Sequence, residues 1–310
     1  MARDFEEVWF VDFEFRAPDG ENPEPRCMVA YGLHSKTLKR IWLHGIKGGQ
    51  SPVDLGDESL YVAYYASAEM GCHLSLDWPL PENLLDLFVE FRVHMNGFNP
   101  QGGFGLLGAM SSFGLGHMAP STKDSMRELA MREGDYTAEE KEALMDYCEE
   151  DVRSLVVLYS KMSHLIDLER ALLRGRYMSS CALVERNGIP IDTDLFRRLN
   201  LHWDEIRSEL ISEVDKTFGV FEENVFKRER FLGYLKRNGI PWPLLDSGTP
   251  RMDDETFGIM SLQYPEISPL KDLRSSLSKM RLKDLSVGQD GRNRALLSAF
   301  RSRTGRNQPS

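Results

Sequence analysis

Val8-Trp9-Phe10-Val11-Asp12-Phe13-Glu14-Phe15 reads as a β-strand, rich in aromatic and β-branched side chains and interrupted only by two carboxylates. Residues two apart on a strand share a face, so Asp12 and Glu14 project together while Val11, Phe13 and Phe15 pack the other side. Like charges set side by side in so apolar a strand repel unless a cation lies between them. Such a pair suits hard divalent ions such as magnesium or manganese, which prefer oxygen ligands. An exposed edge strand also carries Asp-x-Glu, so the pair alone leaves a surface reading open.

Outward from this strand, Met28 to Ser35, Lys39 to His44 and Leu60 to Tyr65 read as three more strands. Thr137-Ala138-Glu139-Glu140 is a capping box that opens a long amphipathic helix, predicted to run to about Ile166 with Leu144, Leu155 and Leu158 among its apolar positions. Tyr147 and Asp151 are four residues apart on it, which brings a phenol and a carboxylate to one face. The segment Asp146 to Asp151 is acidic throughout, and a solvated helix face reads the same way. From Leu168 the pattern is helical, punctuated at Asn187-Gly188-Ile189-Pro190, Asn238-Gly239-Ile240-Pro241 and Asp246-Ser247-Gly248. The two Asn-Gly-Ile-Pro turns have unlike flanks and imply no duplication. A domain boundary is placed near 165. Met110, Phe113 and Trp203 fit helix-packing stripes and are expected in cores.

The 310 residues suffice for two domains, and a 41% hydrophobic share suffices to bury real cores. No stretch approaches the roughly 20 apolar residues of a membrane span, and the N-terminus is acidic where a signal peptide is basic, so a cytoplasmic protein is expected. Cys27, Cys72, Cys148 and Cys181 are widely spaced, which favours reduced thiols over a zinc site or disulfide framework. The net charge of −10 is uneven: residues 1–170 hold 15 basic against 29 acidic side chains, residues 171–310 hold 23 against 19. Over 271–310 the balance is 10 basic to 3 acidic, a patch suited to phosphates.

Asp12-x-Glu14, then Tyr64-Tyr65-Ala66-Ser67-Ala68-Glu69, then Tyr147-x-x-x-Asp151 resemble in order and type the motifs of the DEDD superfamily of 3′-to-5′ exonucleases. The subgroup is the tyrosine-bearing one found in proofreading domains of family A DNA polymerases. The family's second motif ends in aspartate after an aromatic residue, where this chain has Glu69. The resemblance implies an α/β, ribonuclease H-like mixed-sheet exonuclease domain over 1–165, with Asp12, Glu14, Glu69, Tyr147 and Asp151 catalytic. It further implies two Mg2+ or Mn2+ ions roughly 4 Å apart on the scissile phosphate. Asp12 would bridge the ions, Glu14 and Asp151 would hold the one carrying the attacking water, Glu69 would support the second, and Tyr147 would orient the water.

Residues 166–310 resemble the front of a bacteriophage-type family A polymerase module, mainly α-helical and incomplete. Glu185 to Asp192 matches the turn after its first helix, Leu273 to Leu282 the helix leading to DNA-contacting strands, and Asp290-Gly291-Arg292-Asn293-Arg294 with Thr304-Gly305-Arg306-Asn307 its backbone-contact segments. Arg292, Arg294, Arg301, Arg303, Thr304 and Arg306 are therefore expected to bind nucleic acid, the arginines as forked donors to phosphate. The family's catalytic aspartates for nucleotide addition follow the Thr-Gly-Arg segment, so polymerase activity is not expected of this chain alone. The expectation is either a truncation or a separate polypeptide that completes the enzyme. The leading function is DNA proofreading hydrolysis at a 3′ end; a ribonuclease D-like RNA exonuclease and a non-catalytic DNA-binding or assembly subunit of a split polymerase are the alternatives.

Overall fold

The alternation at Val8 to Phe15 is realised as strand β1 (Glu7–Arg16) at the centre of a sheet, its side chains dividing between two cores. The structure, a computed structural model, describes residues 4–116, 120–280 and 285–309. After β1 come β2 (Glu24–Gly32), β3 (Leu38–Trp42), β4 (Ser59–Ala63), α1 (Ala66–Ser75), β5 (Leu84–Asp86), α2 (Leu87–His94), α3 (Leu106–Ser112), α4 (Pro120–Met131), α5 (Ala138–Met162) and α6 (Leu168–Asn187). Then follow β6 (Ile189–Pro190), α7 (Thr193–Leu201), α8 (Trp203–Phe218), β7 (Phe221–Glu222), β8 (Val225–Phe226), α9 (Arg228–Arg237), α10 (Asp254–Gln263), α11 (Ser268–Lys279), β9 (Arg292–Asn293), β10 (Leu297–Ser298) and β11 (Gln308–Pro309). None of the described helices is long and apolar enough to cross a membrane. All four cysteines are buried and unbridged.

The five-stranded sheet has the order β3-β2-β1-β4-β5, with β1 antiparallel to β2 and parallel to β4. Both faces are covered, as a sheet with parallel central strands requires. Val8 and Phe10 of β1, Cys27 and Val29 of β2 and Leu60 and Val62 of β4 pack against Leu144, Cys148, Val152, Leu155 and Leu158 of α5. Trp9, Val11 and Phe13 pack the opposite way with Met70 and Cys72 of α1 and Met178 and Cys181 of α6. The fifth strand, β5, is a three-residue piece that the sequence pattern does not announce, being too short to show a period.

α5 begins at the capping box as predicted: the Glu140 amide donates to Thr137 Oγ1 at 3.2 Å and the Thr137 amide to Glu140 Oε2 at 2.8 Å. It ends at Met162, and a 3-10 turn over Ser163–Leu165 completes the predicted span. Buried Arg26 on β2 donates to the Ala130 carbonyl at 3.3 Å and the Arg132 carbonyl at 3.2 Å, which ties the approach to α5 onto the sheet.

By compactness the chain divides into Met1–Pro190 with Val287–Ser310, and Ile191–Ser286. The compact sheet unit includes α6, which belongs to the sheet's second core, and runs to Pro190. The closing segment from Val287 also belongs with the sheet, through β9 on β6 and through Ala299 in that core. The second unit has its own core, built on Phe231, Phe257, Met260 and Leu270. α11 covers most of the Leu273 to Leu282 segment; Arg281 and Leu282 lie outside the described residues. Met110 and Trp203 are buried, and Phe113 packs partly buried against the first core.

α6 reaches the sheet at Gly175, where an added Cβ would meet the Leu84 carbonyl oxygen at 1.8 Å. Backbone there has nowhere to retreat without parting α6 from β5. Gly175→Ala is expected to lower the unfolding free energy by about 3 kcal/mol, as overpacking of a dense core does, read by urea denaturation. A change below a few tenths would show that α6 does not pack as described.

Candidate metal centre

On β1 the face that is apolar at Val8 and Phe10 continues as Asp12 and Glu14, so the carboxylates emerge at the edge of the core that α5 covers. Asp151 comes from α5, with 9% of its surface exposed. One ligand oxygen from each of Asp12, Glu14 and Asp151 lies within 4.8 Å of the others. Three hard oxygen donors at that separation fit a divalent cation of the magnesium or manganese type.

The helical period sorts the acidic run. Asp146 and Glu149 turn to Arg40 of β3, whose guanidinium donates to them at 2.7 Å and 3.1 Å and to Glu142 at 2.8 Å. Tyr147, Cys148 and Asp151 turn inward and are buried. The Tyr147 hydroxyl hydrogen-bonds the Asp151 carboxylate, and burial, then the charges of Asp151, Glu14 and Asp12, push its pKa far above the ordinary tyrosine value. It stays a neutral donor.

Cys148 has no counterpart in the sequence reading. Its thiol donates to the Asp12 carbonyl at 3.2 Å and to Asp12 Oδ2 at 3.3 Å. Burial pushes its pKa well up, so it remains a donor that fixes the Asp12 side chain. Any small residue fits that place in the helical pattern, and only the meeting of α5 with β1 reveals the contact.

Glu69 is placed differently from the other three carboxylates. It sits in the first turn of α1, 3% exposed, and is not one of the three that converge. Its Oε2 is buried without a hydrogen-bond partner, and burial, followed by the charge of Asp12, drives its pKa well above the ordinary value.

The start of α1 is set by Asp86, at the end of β5. Its carboxylate accepts from the amides of Tyr65 at 3.0 Å and Ala66 at 2.9 Å, and also caps α2 through Phe88 at 2.9 Å and Val89 at 3.4 Å. Tyr65 takes a left-handed conformation (φ 68°) to make this turn.

The arginines of the closing segment divide into two groups. Arg292 donates to the Asn187 carbonyl at 2.8 Å, and Arg294 to those of Arg186 at 3.0 Å and Gly20 at 2.8 Å, with Asp290 as its ion-pair partner. Both hold the segment against the sheet unit. Arg301, Arg303 and Arg306 are exposed around a turn in which Gly305 (φ 72°) donates to the Ser302 carbonyl at 2.9 Å, and Thr304 Oγ1 meets Ser302 Oγ at 3.1 Å.

No protein-family model matches the chain, and no curated protein matches it. A similar solved structure is the POL domain of Pol1 from M. smegmatis in complex with DNA primer-template and dNTP. The match has a TM-score of 0.61 at 13% identity and covers 98% of this chain and 51% of that one. The likeness is one of fold, and the chain spans about half the length of that structure.

Burial is the largest influence on Asp86 and lifts its pKa from 3.8 to about 6, against the four amides that favour its charged form. With a folded-state value raised above the unfolded one, the stabilisation is full below about pH 4 and is lost as pH rises through about 6. Wild-type stability relative to Asp86→Asn should therefore fall by about 2 kcal/mol between pH 4 and pH 6, measured by urea denaturation at each pH. A constant difference would contradict this titration.

Proposed function

We propose that the chain is a metal-dependent 3′-5′ exodeoxyribonuclease on a ribonuclease H-like sheet, the proofreading part of a family A polymerase. In this reading residues 1–165 carry the nuclease site, and 166–310 the front of the polymerase module. The observation that supports it most is the convergence of Asp12, Glu14 and Asp151 with Tyr147 hydrogen-bonded at its edge. The sheet order is compatible with this reading, and the fold likeness to a polymerase domain solved in complex with DNA favours DNA over RNA as substrate.

Asp12, Glu14 and Asp151 are the residues that would hold the ions. Divalent ions bound there supply a more acidic water and stabilise charge on the leaving oxygen. Cys148 keeps the Asp12 carboxylate in one orientation, and Tyr147 presents a hydroxyl proton that stays put at any physiological pH. Phe10, Leu144 and Val152 behind the carboxylates keep water out of that side.

Incubation with a 5′-labelled single strand and magnesium or manganese should shorten it from the 3′ end, and a chelator should stop the reaction. Asp12→Ala is expected to slow hydrolysis about a thousandfold, equivalent to ~4 kcal/mol; near-normal rates in that variant would sink the assignment. Tyr147→Phe should slow it roughly ten- to a hundredfold with little change in stability, judged from single-turnover rates alongside a melting curve. Cleavage of a matched RNA strand alone would transfer the site to the ribonuclease reading. Glu69, standing where the family's motif has aspartate and outside the converging group, is the feature that favours a non-catalytic, DNA-binding role; a 3′ end that persists with either metal would establish that role.

A further inference from the structure

A cavity of about 210 Å³ lies in the sheet unit between α1, α6 and the loop that follows β1. Phe15, Tyr65 and Ala182 on its walls belong with the second core, so it opens on the other side of β1 from the carboxylates, which continue the first. Pro23, Ala68 and Leu296 complete an apolar lining. Voids of this size are few in a close-packed interior. Small residues keep it open: Ala68 and Gly71 line it from α1 and Ala182 from α6, where leucine-sized side chains would fill the gap.

One wall is held under strain. Tyr65 has φ 68° and ψ 55°, a left-handed backbone that a tyrosine seldom adopts. Asp86 fixes it there through the Tyr65 amide, its ring lies edge-on to Phe88 at 4.9 Å, and its hydroxyl donates to the Leu297 carbonyl at 3.3 Å. Strained residues tied down in this way cluster at ligand clamps.

The polar groups around the cavity are rich in acceptors and short of free donors. Asn22 Oδ1 is buried without a hydrogen-bond partner. Glu185 and Glu21 each accept from a backbone amide, that of Leu297 at 2.7 Å and that of Gln289 at 2.6 Å, and a carboxylate has capacity for more. Arg186 and Arg294 also border the space, but Arg186 pairs with Asp77 at 3.8 Å, and Arg294 is taken up by Asp290 and two backbone carbonyls. An anion would find these cations engaged. A molecule that brings N–H groups meets acceptors that lack them, and pairing Asn22 Oδ1 removes the penalty of leaving it bare.

Size narrows the choice. Pockets for drug-sized ligands run from roughly 300 to 1,000 Å³, so this one suits a single flat ring system without sugar or phosphate. We propose that it binds a neutral, amino-bearing heteroaromatic base, with Asn22 Oδ1 accepting from the amino group and Phe15 and Tyr65 as ring walls. The site goes beyond the nuclease reading and does not rest on it.

Adenine is the probe, titrated into the full chain with chelator present and followed by calorimetry. Saturable one-to-one binding is expected, with unsubstituted purine, which has the rings but not the amino group, at least tenfold weaker. Asn22→Ala should bring adenine down to the level of purine and leave purine unchanged. Ala68→Leu, which fills the space, should abolish binding of both. Absence of saturable binding, equal affinities of adenine and purine for the wild type, or undiminished adenine binding in Ala68→Leu each overturns the proposal. The wild-type comparison decides it even where a variant does not fold. An oligodeoxynucleotide ending in adenine separates the two sources of such a base: a strand that leaves bound adenine in place supports a discrete site, and a strand that binds through Asn22 where free adenine does not bind overturns it. Nuclease rates enter none of these outcomes, so the nuclease reading stands or falls separately.

Discussion

The two-residue period of β1 governs the first unit. One face runs Val8, Phe10, Asp12, Glu14, so the side chains that seat α5 and those that meet its Asp151 lie in a single row. A slip of one residue against β2 or β4 would turn both carboxylates into the opposite core and Trp9, Val11 and Phe13 toward α5. The apolar row therefore does more than stabilise the sheet: it fixes the register in which the acids arrive at the helix. The site is the polar continuation of the core.

α5 has to answer that row with its own period of 3.6. Its acidic segment looks undivided in one dimension, yet Arg40 on β3 collects Asp146, Glu149 and Glu142 on the outer side while Tyr147, Cys148 and Asp151 turn in. The ion pairs of Arg40 are half exposed and contribute modestly to stability. They set the rotation of the helix, and that rotation decides which acid reaches Asp12.

Much of this was legible in the chain. Alternation at Val8 to Phe15 and the Thr137–Glu140 capping box are local signals, and both elements formed where those signals stand. Tyr147 and Asp151 share a face because of spacing alone. What escaped was whatever depends on contact between distant segments. β5 is three residues long and is a strand only because β4 pairs with it. The inclusion of α6 in the sheet unit depends on Gly175 letting it lie against Leu84. Order along the chain put Glu69 with the other acids; it is buried in the first turn of α1, near enough to feel the charge of Asp12 yet outside the group of three that converges. Arg292 and Arg294 had the composition of phosphate ligands and turned out to hold backbone carbonyls within the protein.

Asp86 joins two helices that are separate in sequence. One carboxylate accepts the first amides of α1 and of α2, so neither helix can fray at its start without releasing a charge acceptor on which the other depends. Hydrogen exchange at Tyr65, Ala66 and Phe88 accordingly reports one shared opening rather than three local ones. The two segments behave as a single cooperative element, although only β5 lies between them.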